Sequence, residues 1–262
     1  MTAEVNLIDS PGTAEDAWQH WIGLACLPIA RLAGIGSAVV IAAHPDDEVL
    51  GVGGTMAQLA AAGVRLRIIA ATDGEGSHPE ANPQLIAAQR AAESAAALRA
   101  LQIGSAEVIR LRLPDTGLRR CEGELASRLR ELCAGFDVCL APWEFDGHAD
   151  HEAAGRAARA ACPLVLHYPI WMWHWAVPAD SRVPWRRARQ VPLAGGVALK
   201  KRAAIRAFVS QLTDRPGDGP VLTPGVVAHF TRPAELLFVT PSPSQESQAA
   251  EPPRLPQSLA DS

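Results

Sequence analysis

The sequence predicts an α/β protein built on a doubly wound, mostly parallel sheet, and three observations carry that prediction. Short β-branched runs alternate with longer helical stretches; the first run is apolar throughout, as a strand buried on both faces is; and it ends at a polar cluster. Ser37–Ala43 (SAVVIAA) is the first run, and it stops at the charged segment His44 to Glu48. Beyond Gly51, Gly53 and Gly54 a helix is expected over Thr55–Ala62, halted by Gly63, and a second strand over Arg65–Thr72. An Ala-rich helix over Pro83–Leu101, a strand over Glu107–Leu113, a helix over Glu122–Cys133, a strand over Val138–Ala141, a helix over His151–Ala161 and a strand over Leu164–Tyr168 continue the alternation. That order is Rossmann-like, and in such sheets chemistry gathers at the carboxyl ends of the strands.

The last third departs from it. After Pro169 come Trp171, Trp173, Trp175 and Trp185, four of the seven tryptophans within fifteen residues, then a basic run Trp185–Arg189, a helix over about Val197–Gln211 and a Pro/Gly-rich loop reaching Gly225. These read as C-terminal additions packed on the sheet, so one domain is expected over residues 1–240: an N-terminal helix, a sheet core at about 37–168 and additions at about 169–240. From 241 to 262 the composition turns to Pro, Ser and Gln with little to bury, which predicts a disordered tail.

Composition narrows the function classes. Of 262 residues, 48% are hydrophobic and 20% charged with a net charge of -4, which lacks the basic footprint of a nucleic-acid binder. Pro28 and Arg31 interrupt the apolar stretch Trp21–Ala43 and leave runs too short for a membrane span. Cys26, Cys121, Cys133, Cys139 and Cys162 are odd in number and lack C-x-x-C spacing, so reduced, mostly buried thiols are expected. No Lys or Arg precedes Arg31, which argues against a secretory signal and for a cytoplasmic location.

Two segments carry chemistry. Ala43-His44-Pro45-Asp46-Asp47-Glu48 puts one imidazole and three carboxylates at a strand end, where charge costs desolvation unless a cation or a helix N-terminus compensates it. Trp143 to His151 follows the fourth strand and places His148 and His151 three apart at a helix start, on one face. Loops after central strands face one crevice, so His44, Asp47 and His151 can meet as two imidazoles and a carboxylate with a coordination position open, the pattern of a catalytic zinc. Fe2+ or another divalent ion suits the same donors. Gly51, Gly53 and Gly54 lack the third glycine of a dinucleotide loop, since position 56 is methionine, and no G-x-S-x-G elbow supports a serine nucleophile.

With these residues in view, the sequence resembles the PIG-L or LmbE-like metal-dependent N-deacetylases, over about Ala38–Tyr168 and around Lys200–Gln211. The motif A-H-P-D-D-E is matched in full by Ala43–Glu48; the motif H-P-D-H appears as His148-Ala149-Asp150-His151, with alanine for proline. The resemblance implies metal binding by His44, Asp47 and His151, a general base in Asp46, and His148, oriented by Asp150, stabilising the oxyanion as a protonated imidazole or protonating the leaving amine. It implies an N-acetylglucosamine-type sugar conjugate as substrate, gripped by Arg90 and Asp115, with the loop Asp73–His78 at the rim. Arg90 on a solvent-facing helix and Asp115 as a turn former are the plain alternatives.

Tyr168 to Trp175 alternates, so an extended segment puts Trp171, Trp173 and Trp175 on one face, either as a core plate or as a row for sugar rings. A similar segment in a bacterial branch near glycopeptide and glycolipid N-acetylglucosaminyl deacetylases favours substrate contact by Trp171 and Trp173. Two other function classes share these features: a non-haem iron facial-triad oxygenase, and a non-catalytic carbohydrate-binding module on the same fold.

Overall fold

A computed structural model describes residues 8, 11–215 and 217–240, so the expected tail over 241–262 lies outside the described residues. The described residues form a seven-stranded sheet in the order β3-β2-β1-β4-β5-β7-β6. Its five parallel strands are β1 (Ser37–Ala42), β2 (Arg65–Thr72), β3 (Glu107–Leu113), β4 (Val138–Pro142) and β5 (Val165–Tyr168); β6 (Ala188–Pro192) and β7 (Ala234–Val239) extend it antiparallel. The chain order reverses between β1 and β4, which pair directly, so the loops leaving them open into the same crevice.

The strand sequences account for this placement. Every residue of β1 is buried, and its side chains divide by parity: Ala38 and Val40 join one core with Ile68 and Leu140, whereas Val39 and Ile41 join another with Ile69, Cys139 and Ala141. Helices α3 (Asp47–Ala61) and α4 (Pro83–Ala100) bury their apolar residues in the first core; α5 (Glu122–Leu132) and α6 (Ala149–Ala161) cover the second. The N-terminal expectation of one helix is met by two short ones, α1 (Glu15–His20) and α2 (Ile22–Ala25). No helix among the described residues is long and apolar enough to cross a membrane.

Four expectations change. First, α3 starts at Asp47, so Gly51, Gly53 and Gly54 lie inside a helix. Two of them are glycines because neighbours press against the axis: a Cβ at Gly51 meets the Tyr168 ring at 2.2 Å, and one at Gly54 meets Leu193 at 2.5 Å. The helix breaks its geometry at Val52 (φ -138°), and the carboxylate of Glu235 from β7 caps the restarted half, accepting Gly54 N (2.7 Å), Thr55 N (2.7 Å) and Thr55 Oγ1 (2.6 Å). Lys201 Nζ, also buried, pairs with Glu235 at 2.6 Å.

Second, the additions contribute strands as well as helices: the basic run leads into β6, and AELLFV, unassigned by pattern, is β7. Third, the expected helix over Val197–Gln211 is two, α8 (Gly195–Ile205) and α9 (Val209–Leu212), parted at fully buried Phe208, and the Pro/Gly-rich loop runs into a helix from Pro224 to His229.

Fourth, the tryptophan segment is no extended strand but a turn leading into a short helix, α7 (Met172–Trp175). Its cause is Asp146, whose Oδ1 accepts Ile170 N (2.8 Å) and Met172 N (3.1 Å) while Oδ2 accepts Trp171 N (2.9 Å). Three converging amide donors wind the chain, and the indoles point different ways. Trp173 packs edge-on against buried Trp18 (5.1 Å) and its carbonyl accepts Trp18 Nε1; Trp175 stacks on Trp143; Trp185 joins Trp18 and Trp21.

The Glu235 node predicts a large stability effect. Glu235→Ala leaves Lys201 charged and buried without its partner and uncaps half of α3, at a cost of about 3–5 kcal/mol. Urea unfolding is expected to show that loss, and a Lys201→Met/Glu235→Ala double variant is expected to lose less than the two single variants summed.

Candidate active site

The crevice between the β1 and β4 loops encloses a cavity of about 170 Å³. His44, Asp46 and Asp47 enter it from the β1 end, His148 and His151 from the start of α6, and Asp115 from the loop after β3. His44 Nδ1 and His151 Nε2 are 3.3 Å apart; His151 Nε2 is 3.2 Å from Asp47 Oδ1, and His44 Nδ1 is 3.6 Å from Asp47 Oδ2. Donors on a tetrahedral ion with bonds of about 2.0–2.1 Å stand about 3.3 Å from one another. The three side chains stand at about that spacing, with the two edges to Asp47 made by different oxygens of its carboxylate. The His148 ring lies 4.6 Å from that of His151 and 5.0 Å from that of His44, and the three histidines can also group about one ion.

A second donor group surrounds the other nitrogen of His44, whose Nε2 is 3.1 Å from Asp115 Oδ1 and 3.4 Å from Asp150 Oδ2. This places Asp150 differently from the expectation that it orients His148. Its Oδ1 accepts Leu118 N at 3.0 Å and its Oδ2 faces His44, and only its backbone N–H meets His148, donating to Nδ1 at 3.2 Å. That bond makes His148 the N-cap of α6 and leaves Nε2 as the position for its proton.

Asp46 is held in an uncommon backbone conformation (φ 150°, ψ -30°), a strain that survives because both ends of the residue are fastened. Its N–H donates to Glu48 Oε2, its carbonyl caps the first turn of α3 through Val49 and Leu50, and its carboxylate accepts Arg90 Nη2 at 2.9 Å. Arg90 is only 3% exposed, so the solvent-facing alternative is excluded; the same nitrogen donates to Pro45 O, and Nη1 to Gly74 O. It borders the cavity with Nη1 and Nη2 engaged by Asp46 and the surrounding backbone, while its buried Nε has no hydrogen-bond partner among the described residues.

Charge separates the groups. Burial alone depresses His44, but hydrogen bonds to Asp115, Asp150 and Asp47 outweigh it and raise the imidazole well above its usual range. His151 behaves alike: burial lowers it, Asp47 and Asp146 reverse the effect, and it rises to about 9. Burial pushes Asp46 up to about 6 despite Arg90, and Glu48 up to about 8. For His148 burial is joined by the positive charges of His151 and His44, which together hold it down at about 2. The site thus draws two protons onto His44 and His151, amid carboxylates, where a dication would otherwise balance the charge.

Sequence patterns passed over Asp146. It is fully buried, its Oδ2 pairs with His151 Nδ1 at 2.7 Å, and it also shapes the turn before α7. A carboxylate five residues before a candidate ligand, in a W-E-F-D-G-H segment, was the available signal. The rim residues Gln211, Arg215 and Leu222, from the C-terminal additions, carried none. Gly76 and Ser77 of the Asp73–His78 loop line the cavity, and Gly76 N donates to Asp115 Oδ2 at 2.8 Å, so Asp115 is tied to the cavity wall rather than standing in a free turn. Trp171 lines the cavity; Trp173 does not, because the turn set by Asp146 sends it to the core.

Known proteins resemble this chain in sequence and in fold. Residues 39–162 match the family model described as PIG-L: GlcNAc-PI de-N-acetylase. The chain is 33% identical over 156 residues to 1D-myo-inositol 2-acetamido-2-deoxy-alpha-D-glucopyranoside deacetylase 2 of Catenulispora acidiphila, covering 49% of this chain and 51% of that protein. To the diacetylchitobiose deacetylase of Thermococcus kodakarensis it is 30% identical over 132 residues, covering 46% and 47%. The chain thus spans about half the length of these curated relatives. Among solved structures, a conserved protein from Thermus thermophilus superposes with a TM-score of 0.56 at 28% identity, covering 86% of this chain and all of that one. The two motif segments and the β1–β4 crevice they line fall within the residues that match the PIG-L family model, so the sheet core of this chain is similar to that family over its candidate site.

Proposed function

We propose that the protein is a zinc-dependent N-deacetylase that removes the N-acetyl group from an N-acetylglucosamine-type sugar conjugate. The observation that carries this reading is the triangle of His44 Nδ1, His151 Nε2 and Asp47 carboxylate, with edges of 3.2–3.6 Å, beside a separately held carboxylate, Asp46. The substrate class rests on the family match and on relatives named for deacetylating amino-sugar compounds. A divalent ion held by His44, Asp47 and His151 supplies Lewis acidity toward an amide carbonyl and makes water acidic enough to lose its proton near neutral pH.

The chain's own residues do the rest. Asp46 takes that proton. Burial tunes its carboxyl to about 6, so near neutral pH it is ionised and ready to accept a proton, and it holds one more readily than an ordinary aspartate. Arg90 fixes the carboxylate in place, which makes it a positioning residue for the base as well as part of the wall. His148 serves as a neutral donor, a change from the protonated imidazole expected at first: its Nδ1 accepts from Asp150 N, which leaves Nε2–H to meet the developing oxyanion. Asp146 fixes the His151 ring through Nδ1 and leaves Nε2 for the ion. Asp115 and Trp171, which line the cavity, receive the sugar, with Trp171 offering an indole face.

Two outcomes test this reading. Asp46→Asn is expected to retain metal while acetate release from an N-acetylglucosaminyl conjugate falls by about 10²–10⁴; metal content by atomic emission and acetate by a coupled assay are the measurements, and full activity in that variant overturns the mechanism. Asp146→Asn is expected to weaken metal binding by about 10–100-fold, read by competition with a chromophoric chelator. Unchanged metal affinity rules out the positioning role.

A further inference from the structure

Away from the active-site crevice, the three buried cysteines Cys133, Cys139 and Cys162 bring their sulfurs within 4.8 Å of one another. Each comes from a different element: Cys133 ends α5, Cys139 is the second residue of β4, and Cys162 ends α6. Their spacing in sequence, with five and twenty-two residues between them, has none of the regularity of a zinc ribbon, and only the fold assembles them. We infer that this cluster is a second metal site, a three-thiolate seat for a thiophilic divalent cation of the zinc and cadmium type, distinct from the His44 site.

Three observations support it. Thiolate-only donor sets select soft ions over the hard ions suited to carboxylates. Cys133 and Cys162 occupy the C-caps of helices of 11 and 13 residues, and the negative ends of both helix dipoles attract a cation. Arg67 lies alongside, its Nη1 donating to the carbonyl of Leu132, the residue before Cys133, and its guanidinium over the Phe136 ring at 4.7 Å. Three thiolates, one dication and one arginine sum to zero charge, which a buried site requires. Binding releases the thiol protons to solvent and leaves three metal–sulfur bonds.

The consequence is mechanical. His148 and His151 stand at the start of α6 and Cys162 at its end, about 20 Å away along the axis at about 1.5 Å per residue. A metal at the cysteine cluster staples that end of α6 to β4 and α5 without touching the catalytic ligands, so it acts on stability rather than on the reacting atoms.

The test is titration of the folded, reduced, metal-free full chain with Cd2+. Thiolate ligation gives an ultraviolet sulfur-to-cadmium charge-transfer band that the nitrogen and oxygen donors of the His44 site cannot give. The expected result is a band that saturates at one equivalent, persists in a Cys26→Ala/Cys121→Ala double variant, and is lost in Cys162→Ala, which changes the most exposed residue of the three. A wild-type chain that develops no band while folded, or a Cys162→Ala chain that keeps it in full, overturns the proposal. The wild-type arm decides the matter even if a variant fails to fold, and neither arm depends on deacetylase activity.

Discussion

One buried carboxylate ties the candidate site together. Asp146 sits in the loop after β4 with no exposed surface, and its two oxygens accept one imidazole nitrogen and three backbone amides. A buried carboxylate with that many donors is electrostatically satisfied, and removing it would orphan every donor at once. The ring of His151 and the turn carrying Trp171 therefore take their positions from the same group. A rigid ligand and a rigid wall of the cavity are one local solution to the same desolvation problem, which is why the β4 loop and the tryptophan turn cannot be considered separately.

The second constraint is charge density. Asp46, Asp47, Asp115 and Asp150 surround His44 and His151 where almost no water reaches, and like charges in so small a volume repel strongly unless cations intervene. Each carboxylate is separated by its own partner. Arg90 serves Asp46, the Gly76 amide and His44 serve Asp115, and the Leu118 amide serves Asp150. What is left facing the centre is the edge of His44, His151 and Asp47. The proposed division between a base and a ligand among two adjacent aspartates follows from this: Asp46 lines the cavity with its carboxylate held by Arg90, while Asp47 faces both imidazoles.

How much of this was legible in the sequence depended on whether the signal was local. The five parallel strands were, because short runs rich in β-branched residues stand out between helical stretches even where, as in β3, most of the strand is not buried, and so were the two histidine segments, because their residue types are costly at a strand end without a purpose. The restart of α3 was not legible, since glycine ordinarily marks a loop and the reason for these glycines lies in Tyr168, Leu193 and Glu235, far away in the chain. Strand β7 was missed for a related reason: AELLFV opens with a buried glutamate whose partners, Thr55 and Lys201, exist only in the folded state. The tryptophan alternation was misread because period-two spacing says strand only when no outside group bends the backbone, and Asp146 does bend it.

That misreading sharpens what the tryptophan concentration is for. Six indoles are engaged in ring contacts with one another: Trp18, Trp21, Trp173 and Trp185 as one set, and Trp143 with Trp175 as a stacked pair. Such clusters bury large apolar areas in rigid side chains, and they seat the N-terminal helices and the C-terminal additions against the sheet. Trp171, whose ring contact is with His174, is the exception, and it is the one that reaches the cavity. The concentration therefore divides between construction and recognition. Most of it builds the wall, and a single residue, aimed by the turn that Asp146 imposes, faces whatever enters.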